Sequence, residues 1–154
     1  MPTYEIVYSR IKVSDKNEAP LSNPTKAYDY LMKNCFSPAD MWRESAWAVF
    51  LDNRNAPIGK ILISIGGINA TWIDTKLVVK SALDSFAKGV ILSHNHPSSD
   101  PMPGHKDILE TDKLRKALAF FDIELTDHIV VTEESFYSFK EEVAIKVPNV
   151  TVKS

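Results

Sequence analysis

Residues 94–107 read HNHPSSDPMPGHKD, and this stretch decides the fold class that we predict. His94 and His96 end an apolar run, residues 89–93, which has the length and composition of a buried strand that Pro97 stops. Side chains at i and i+2 of an extended chain point the same way, so both imidazoles can reach one metal ion. The stretch therefore predicts a metal site at the carboxyl end of a strand, where open α/β sheets tend to hold their sites.

A third ligand is expected, because a catalytic zinc is usually held by three protein groups and a water molecule. From Gly104 to Phe121 apolar residues recur at three- and four-residue spacing, which predicts a helix. Asp107 falls in its first turn, where the helix dipole favours a carboxylate. We therefore expect His94, His96 and Asp107 to bind zinc, a ligand set that lowers the pKa of bound water to about 7.

The stretch resembles the JAMM (MPN-type) metalloprotease signature, in which His-X-His-Pro is followed by six residues, Ser, two residues and Asp. It is more closely similar to the RadC-like branch of that family, whose pattern is HNHPSGDPxPSxxD. The similarity covers residues 42–140 and includes residues 50–55, 64–67 and 127–131. It implies zinc ligands at His94, His96 and Asp107, and a zinc-dependent hydrolase that cleaves peptide or isopeptide bonds with a metal-activated water.

The resemblance also implies a catalytic base. The family places a Glu immediately before a strand near the start of the domain, and Glu44, which precedes the apolar run 46–51, matches that position. A carboxylate there can take a proton from the water and pass it to the leaving amine. The alternative is a solvated residue at a strand edge, as most glutamates are.

One position departs from the family pattern. The serine of the motif, which in the family donates a hydrogen bond to the developing oxyanion, is Gly104 in this chain. The loss of one such donor costs on the order of a hundred- to a thousandfold in rate at comparable sites. The hydroxyl of Ser99, which replaces a glycine of the pattern, is a possible substitute. A metal-binding but slow or inactive interaction module is therefore an alternative function.

The rest of the chain predicts an α/β fold, a three-layer mixed sheet flanked by helices of the JAMM/MPN, cytidine-deaminase-like type. The expected order is strand, helix, two strands, helix, strand, helix, two strands. The predicted elements are a strand over Tyr4–Val13, a helix from Pro24 to Cys35, strands 45–52 and 57–64, a helix from Thr75 to Lys88 ended by Gly89, strand 89–93, the helix from Gly104, and strands 123–131 and 136–139. The deaminases themselves are excluded, because they need two cysteine ligands and this chain has one, Cys35.

The domain organisation expected for the 154 residues is a single domain. It comprises an N-terminal strand and helix (1–41), the metal-binding core (42–140) and a C-terminal tail (141–154). The beginning of the chain lacks the apolar segment of a signal peptide, and a lone cysteine fits a reducing compartment, so we expect a cytoplasmic protein without a membrane partner.

The net charge of the chain indicates which classes of partner to expect. A net charge of −2 lacks the basic footprint of a nucleic-acid binder, so a peptide or protein substrate is expected rather than direct nucleic-acid binding. RadC-like proteins carry a DNA-repair label, which leaves an accessory role in repair or in plasmid and mobile-element biology as a third hypothesis. Neither the substrate nor the oligomeric state follows from the sequence.

We expect structural rather than catalytic roles for the remaining polar and aromatic residues. His105 is expected to face solvent, His128 to be a structural histidine on the strand face opposite Asp127 and Ile129, and Asp100 to order the loop by accepting from local backbone amides. Aromatic side chains in apolar segments are expected to lie in the core: Trp42, Trp47, Trp72, Phe50, Phe86, Phe120 and Phe121.

Overall fold

The elements follow one another from residue 24 onwards in the predicted order, with one further strand near the C-terminus. A computed structural model describes residues 1–7, 17–66 and 73–148. Its elements are helix α1 (Pro24–Asn34), a 3-10 helix (Pro38–Asp40), strands β1 (Ser45–Leu51) and β2 (Pro57–Ile65), helix α2 (Thr75–Asp84), strand β3 (Gly89–Asn95), helix α3 (His105–Ala119), and strands β4 (Glu124–Val131), β5 (Ser135–Ser138) and β6 (Val143–Lys146).

The strands form one mixed sheet in the order β2-β1-β3-β4-β5-β6. Strand β3 lies between β1, to which it is antiparallel, and β4, to which it is parallel. Every residue of β3 is buried. This explains why residues 89–92 form a continuous apolar run, because a strand covered on both faces has no solvent-exposed side.

Helices cover both faces of the sheet. On one face, alternate residues of β1 and β3 such as Ala48 and Leu92 pack with Val78 of α2 and Leu114 and Leu118 of α3. On the other face, the intervening residues form a second core with α1, whose buried members include Val49, Ile91, Ile129, Tyr28 and Leu31. The predicted three-layer α/β fold, consistent with a JAMM/MPN-type domain, is thus confirmed.

The end of α2 differs from the prediction. The helix stops at Asp84 rather than at Lys88, and the chain reverses at Phe86, whose φ is 55°. The Ala87 amide donates to the Ala82 carbonyl at 3.0 Å, which is the bond that closes such a left-handed helix end. Gly89 is not the cap. It begins β3, where a Cβ would lie 2.6 Å from Thr126 Oγ1.

Two other predictions about elements were wrong. Tyr4, Ile6 and Val7 are exposed and belong to no strand, so alternation there does not indicate a buried face; residues 8–13 of that predicted strand lie outside the described residues. Conversely, β6 pairs with β5 within the segment that we predicted to be a tail. With four residues and mostly exposed side chains, β6 has no hydrophobic alternation by which it could have been recognised.

The core assignment of the aromatics was wrong for four side chains. Trp42, Phe86, Phe120 and Phe121 are exposed, because each lies in a loop or just after the last turn of a helix rather than within its buried stripe. Phe50 is buried as expected, and Trp47 is half-buried. Trp72 lies outside the described residues. None of the helices in the described part of the chain is long and apolar enough to cross a membrane.

Candidate metal centre

Both histidines of the opening motif lie at the carboxyl end of the central strand. His94 is the penultimate residue of β3 and is buried, and His96 directly follows the strand and is partly exposed. Their Nε2 atoms are 3.1 Å apart. The i, i+2 spacing therefore brings the two imidazoles together as predicted.

Asp107 completes the group from the first turn of α3. Its Oδ1 lies 3.4 Å from His94 Nε2 and its Oδ2 lies 3.7 Å from His96 Nε2. The Gly104 amide, at the N-cap of α3, donates to Oδ2 at 2.8 Å and holds the carboxylate in place. The loop between β3 and α3 thus folds the helix start back over the strand end.

The separations of these three groups fit a zinc ion. A tetrahedral ion with bonds of about 2.0–2.2 Å separates its ligand atoms by about 3.3–3.6 Å. The three measured separations are 3.1, 3.4 and 3.7 Å, which bracket that range. Among the described residues, His94, His96 and Asp107 form the group of metal-ligating side chains that can hold an ion.

The backbone of the loop sets the orientation of His96. Its Nδ1 lies 3.0 Å from the Asp100 carbonyl oxygen, which can only accept, so Nδ1 carries the proton and the Nε2 lone pair faces the site. Asp100 in turn accepts from the Met102 amide through Oδ1 at 3.0 Å. Its predicted role in ordering the loop is confirmed, as is the exposure of His105.

His128 contacts the site, which sequence reasoning did not anticipate. It lies on β4 and points to the face opposite to that of its neighbours Asp127 and Ile129, as predicted. Its Nε2 is 2.7 Å from His94 Nδ1. Its Nδ1 is 2.5 Å from Thr111 Oγ1. Parallel pairing of β3 with β4 brings the two rings together, and that pairing is not visible in local sequence.

Burial, hydrogen bonds and neighbouring charges shift the pKa values of Asp107, His96 and His128. Burial alone would raise the pKa of Asp107, but the two histidines and the Gly104 amide hold it well below its usual range. Burial opposes the charged form of His96, but hydrogen bonds with Asp107 and the Asp100 carbonyl outweigh it and raise its pKa. Complete burial lowers the pKa of His128 well below its ordinary value, so this ring is neutral.

Glu44 immediately precedes β1, near the end of β3 that carries the two histidines. The antiparallel pairing of β1 with β3 ends with Ala46 opposite His94, two residues from Glu44. The Glu44 carboxylate also contributes to raising the pKa of His96. It is close enough to act on the group electrostatically but is not one of the three clustered ligands.

A cavity of about 300 Å³ opens beside His96. Its walls combine apolar side chains with the hydroxyls of the loop, and its lining includes Met41, Trp42, Pro97, Ser98, Ser99 and Glu134. Ser99 therefore lies next to the site but exposed, while Gly104 presents no hydroxyl at the start of α3. Of the three clustered side chains, His96 lines this cavity.

Comparison with known proteins agrees with this geometry. The family model of the RadC-like JAB domain matches residues 21–144, a span that contains the three α-helices, strands β1 to β5 and every residue of the site described above.

Relatives of several bacterial groups are similar over the same region. A UPF0758 protein of Stenotrophomonas maltophilia is 41% identical over 134 residues, covering 87% of this chain and 56% of its own length. One from Aquifex aeolicus is 34% identical over 127 residues, covering 82% and 53%. One from Flavobacterium johnsoniae is 41% identical over 99 residues, covering 64% and 43%. The chain thus spans about half the length of the curated relatives it matches.

Proposed function

Because this chain belongs to the RadC-like JAB domain family, we propose that it is a zinc-dependent hydrolase of peptide or isopeptide bonds. The observation that carries the proposal is the convergence of His94, His96 and Asp107, with His96 lining a cavity of about 300 Å³. Two imidazoles and one carboxylate form the ligand set typical of catalytic zinc, which keeps a fourth position open. A bound zinc would lower the pKa of a water molecule there to about 7 and polarise the substrate carbonyl.

Other groups of the protein transfer the proton, orient the ligands and bind the substrate. Glu44, which acts electrostatically on His96, accepts a proton from the attacking water and returns it to the departing nitrogen. The backbone bonds to His96 and Asp107 keep their donor atoms directed at the site, so little reorganisation is needed during the reaction. The cavity beside His96 receives the substrate chain. We further propose a cytoplasmic protein with a peptide or protein substrate.

Gly104 supports a second candidate, a metal-binding module with slow or no turnover. The glycine leaves the oxyanion without the hydroxyl donor of the family motif, and Ser99 is exposed in the loop rather than buried towards the ligands. Removal of one such donor costs about 3–4 kcal/mol of transition-state stabilisation at comparable sites. Metal binding and peptide cleavage are therefore separate questions for the same protein.

One experiment tests metal binding first. Elemental analysis of the purified chain is expected to find about one zinc per molecule, and the His96→Ala variant is expected to lose most of it to a mild chelator. His105→Ala is the matched control, because His105 lies near Asp107 in sequence but is exposed, and its zinc content should equal that of the wild type. Stoichiometric zinc retained by His96→Ala after dialysis would overturn the ligand assignment.

A peptide-library cleavage assay then tests turnover. Cleavage that a chelator abolishes and zinc restores supports the hydrolase. A correctly folded, zinc-loaded protein that cleaves no peptide and no isopeptide-linked substrate supports the binding module instead. Protein without bound zinc contradicts both.

A further inference from the structure

His94 is held by a hydrogen-bond chain that returns to its fellow ligand Asp107. His94 Nδ1 lies 2.7 Å from His128 Nε2, His128 Nδ1 lies 2.5 Å from Thr111 Oγ1, and Thr111 Oγ1 lies 2.6 Å from the backbone oxygen of Asp107. The chain crosses three elements: β3, β4 and α3. It contains two imidazoles whose protons can be arranged in more than one way.

The last member of the chain removes that ambiguity. A carbonyl oxygen can only accept, so the single hydroxyl proton of Thr111 points at Asp107. The Thr111 oxygen then accepts from His128 Nδ1, which therefore carries a proton. The buried ring of His128 has no carboxylate at either nitrogen, so we assign it a single proton. His128 Nε2 is left as an acceptor, and His94 Nδ1 is the donor to it. It follows that the neutral ring of His94 carries no proton on Nε2 and can present a lone pair there to a metal ion.

From this directional chain we infer that His128 and Thr111 are positioning residues, which fix the tautomer and the ring orientation of His94 for metal binding. A ligating histidine usually donates its other N–H to a carboxylate, a backbone carbonyl or water, and His96 does so to Asp100. His94 donates to a second histidine instead. The inference rests on the proposed metal site, but the tautomer it assigns exists whether or not a metal is bound.

Packing holds the second histidine rigid. The ring of His128 stacks on Phe139, with centroids 4.5 Å apart and planes 6° from parallel. Its side chain is buried, and each of its ring nitrogens has a protein partner. His94 and Asp107 are therefore connected in two ways. Their side chains contact each other at the metal site, and the Thr111–His128 chain joins His94 to the Asp107 backbone.

Nitrogen-detected NMR of the histidine rings tests the chain directly. In mildly alkaline buffer, metal-free wild-type protein is expected to show His94 and His128 both protonated at Nδ1. Zinc should move the Nε2 resonance of His94 and leave its tautomer unchanged. A metal-free His94 protonated at Nε2 instead would overturn the inference, even if zinc later binds.

Metal affinity provides the second measurement. His128→Phe keeps the stacked ring but removes the acceptor, and it should weaken zinc binding by about 10- to 100-fold in competition with a chromophoric chelator. His128→Gln places an amide oxygen near the former Nε2 position and should recover most of the affinity. Thr111→Val should weaken binding and mix the two His94 tautomers, while Thr111→Ser, which keeps the hydroxyl, should match the wild type.

A stability control separates positioning from loss of folding. Leu118→Ala removes a buried side chain of α3 three turns from Asp107 and should lower the melting temperature without changing zinc affinity. If folded His128→Phe binds zinc as tightly as the wild type, His128 does not position the ligand. If wild-type protein binds no zinc but shows the assigned tautomers, the metal site fails and the hydrogen-bond chain stands.

Discussion

The side chain of Asn95 binds the backbone on both sides of Glu44. Its Oδ1 accepts from the Ser45 amide at 2.8 Å, and its Nδ2 donates to the Arg43 carbonyl at 2.9 Å. Asn95 lies between His94 and His96 and so points to the opposite face of the strand. The central residue of the His-Asn-His motif therefore holds the backbone on both sides of Glu44, the proposed base.

Replacing Asn95 should disturb the base more than the metal. Asn95→Ala leaves the buried amide of Ser45 and the carbonyl of Arg43 without these bonds, so we expect the free energy of unfolding to fall by about 2–3 kcal/mol. Zinc content should stay near that of the wild type, while any hydrolysis falls because Glu44 is no longer held. Chemical denaturation, elemental analysis and the cleavage assay measure the three quantities.

A matched control for this variant is Asn34→Ala. Asn34 also donates from its side chain to a backbone carbonyl, that of Tyr30, but at the end of α1. It should cost some stability without changing cleavage. Loss of zinc from Asn95→Ala would show that the residue supports the ligands rather than the base.

Glu44→Gln is expected to separate proton transfer from metal binding. The amide keeps the shape of the side chain but cannot accept the proton, so hydrolysis should fall by at least about a hundredfold. Zinc content should be unchanged, since Glu44 is not among the clustered ligands. Glu141→Gln, an exposed carboxylate in the turn before β6, is the control. Unchanged cleavage in Glu44→Gln would assign the base to another group.

Gly104→Ser is expected to increase turnover. The backbone at Gly104 has a φ of −84°, which any residue can adopt, and an added Cβ would meet Asp107 Oδ2 at an ordinary 3.7 Å. Serine is also a better N-cap than glycine by a few tenths of a kcal/mol, so stability should be equal or slightly higher. The new hydroxyl supplies a donor of the kind that contributes about a hundredfold or more in rate.

The control for this substitution is Gly104→Ala, which adds the Cβ without the hydroxyl. It should leave zinc content and cleavage at wild-type levels. If Gly104→Ser is folded, zinc-loaded and no faster than the alanine variant, the missing donor does not limit this protein.

The pH dependence of stability should reverse when zinc is added. In the metal-free protein the pKa of His96 is raised, so its interaction with Asp107 stabilises the fold below the unfolded value of about 6.5 and is lost as pH rises through the folded pKa. Asp107, whose pKa is lowered, contributes above its unfolded value of about 3.8 and loses that contribution only in strong acid. Zinc needs neutral imidazoles, so its stabilisation should grow over the same rise in pH.

Melting temperatures measured from mildly acidic to mildly alkaline pH, with chelator and with zinc, check both trends. Asp107→Asn should flatten the metal-free curve and remove most of the zinc effect. A zinc-induced shift that is the same at both ends of the range would contradict the assignment of His94 and His96 as ligands.

The local sequence predicted the helices and strands from α1 to β5 and the three side chains that cluster. These predictions used properties of neighbouring residues. The apolar run predicted β3, the apolar spacing after Gly104 predicted α3, and the two-residue spacing of His94 and His96 predicted that the imidazoles converge. We predicted Asp107 as the third ligand because it lies in the first turn of α3, where the helix dipole favours a carboxylate. The family resemblance then pointed to Glu44.

Pairing between distant strands decided the rest. The contact of His128 with His94 depends on the parallel register of β3 with β4, and the support of Glu44 by Asn95 depends on the antiparallel register of β1 with β3. Burial likewise depends on what covers a residue, which is why Phe121 is exposed despite its helical spacing and why β6 could form at the sheet edge. The local alternation of a strand indicates which of its faces is buried. It does not indicate which distant strand will be its neighbour in the sheet.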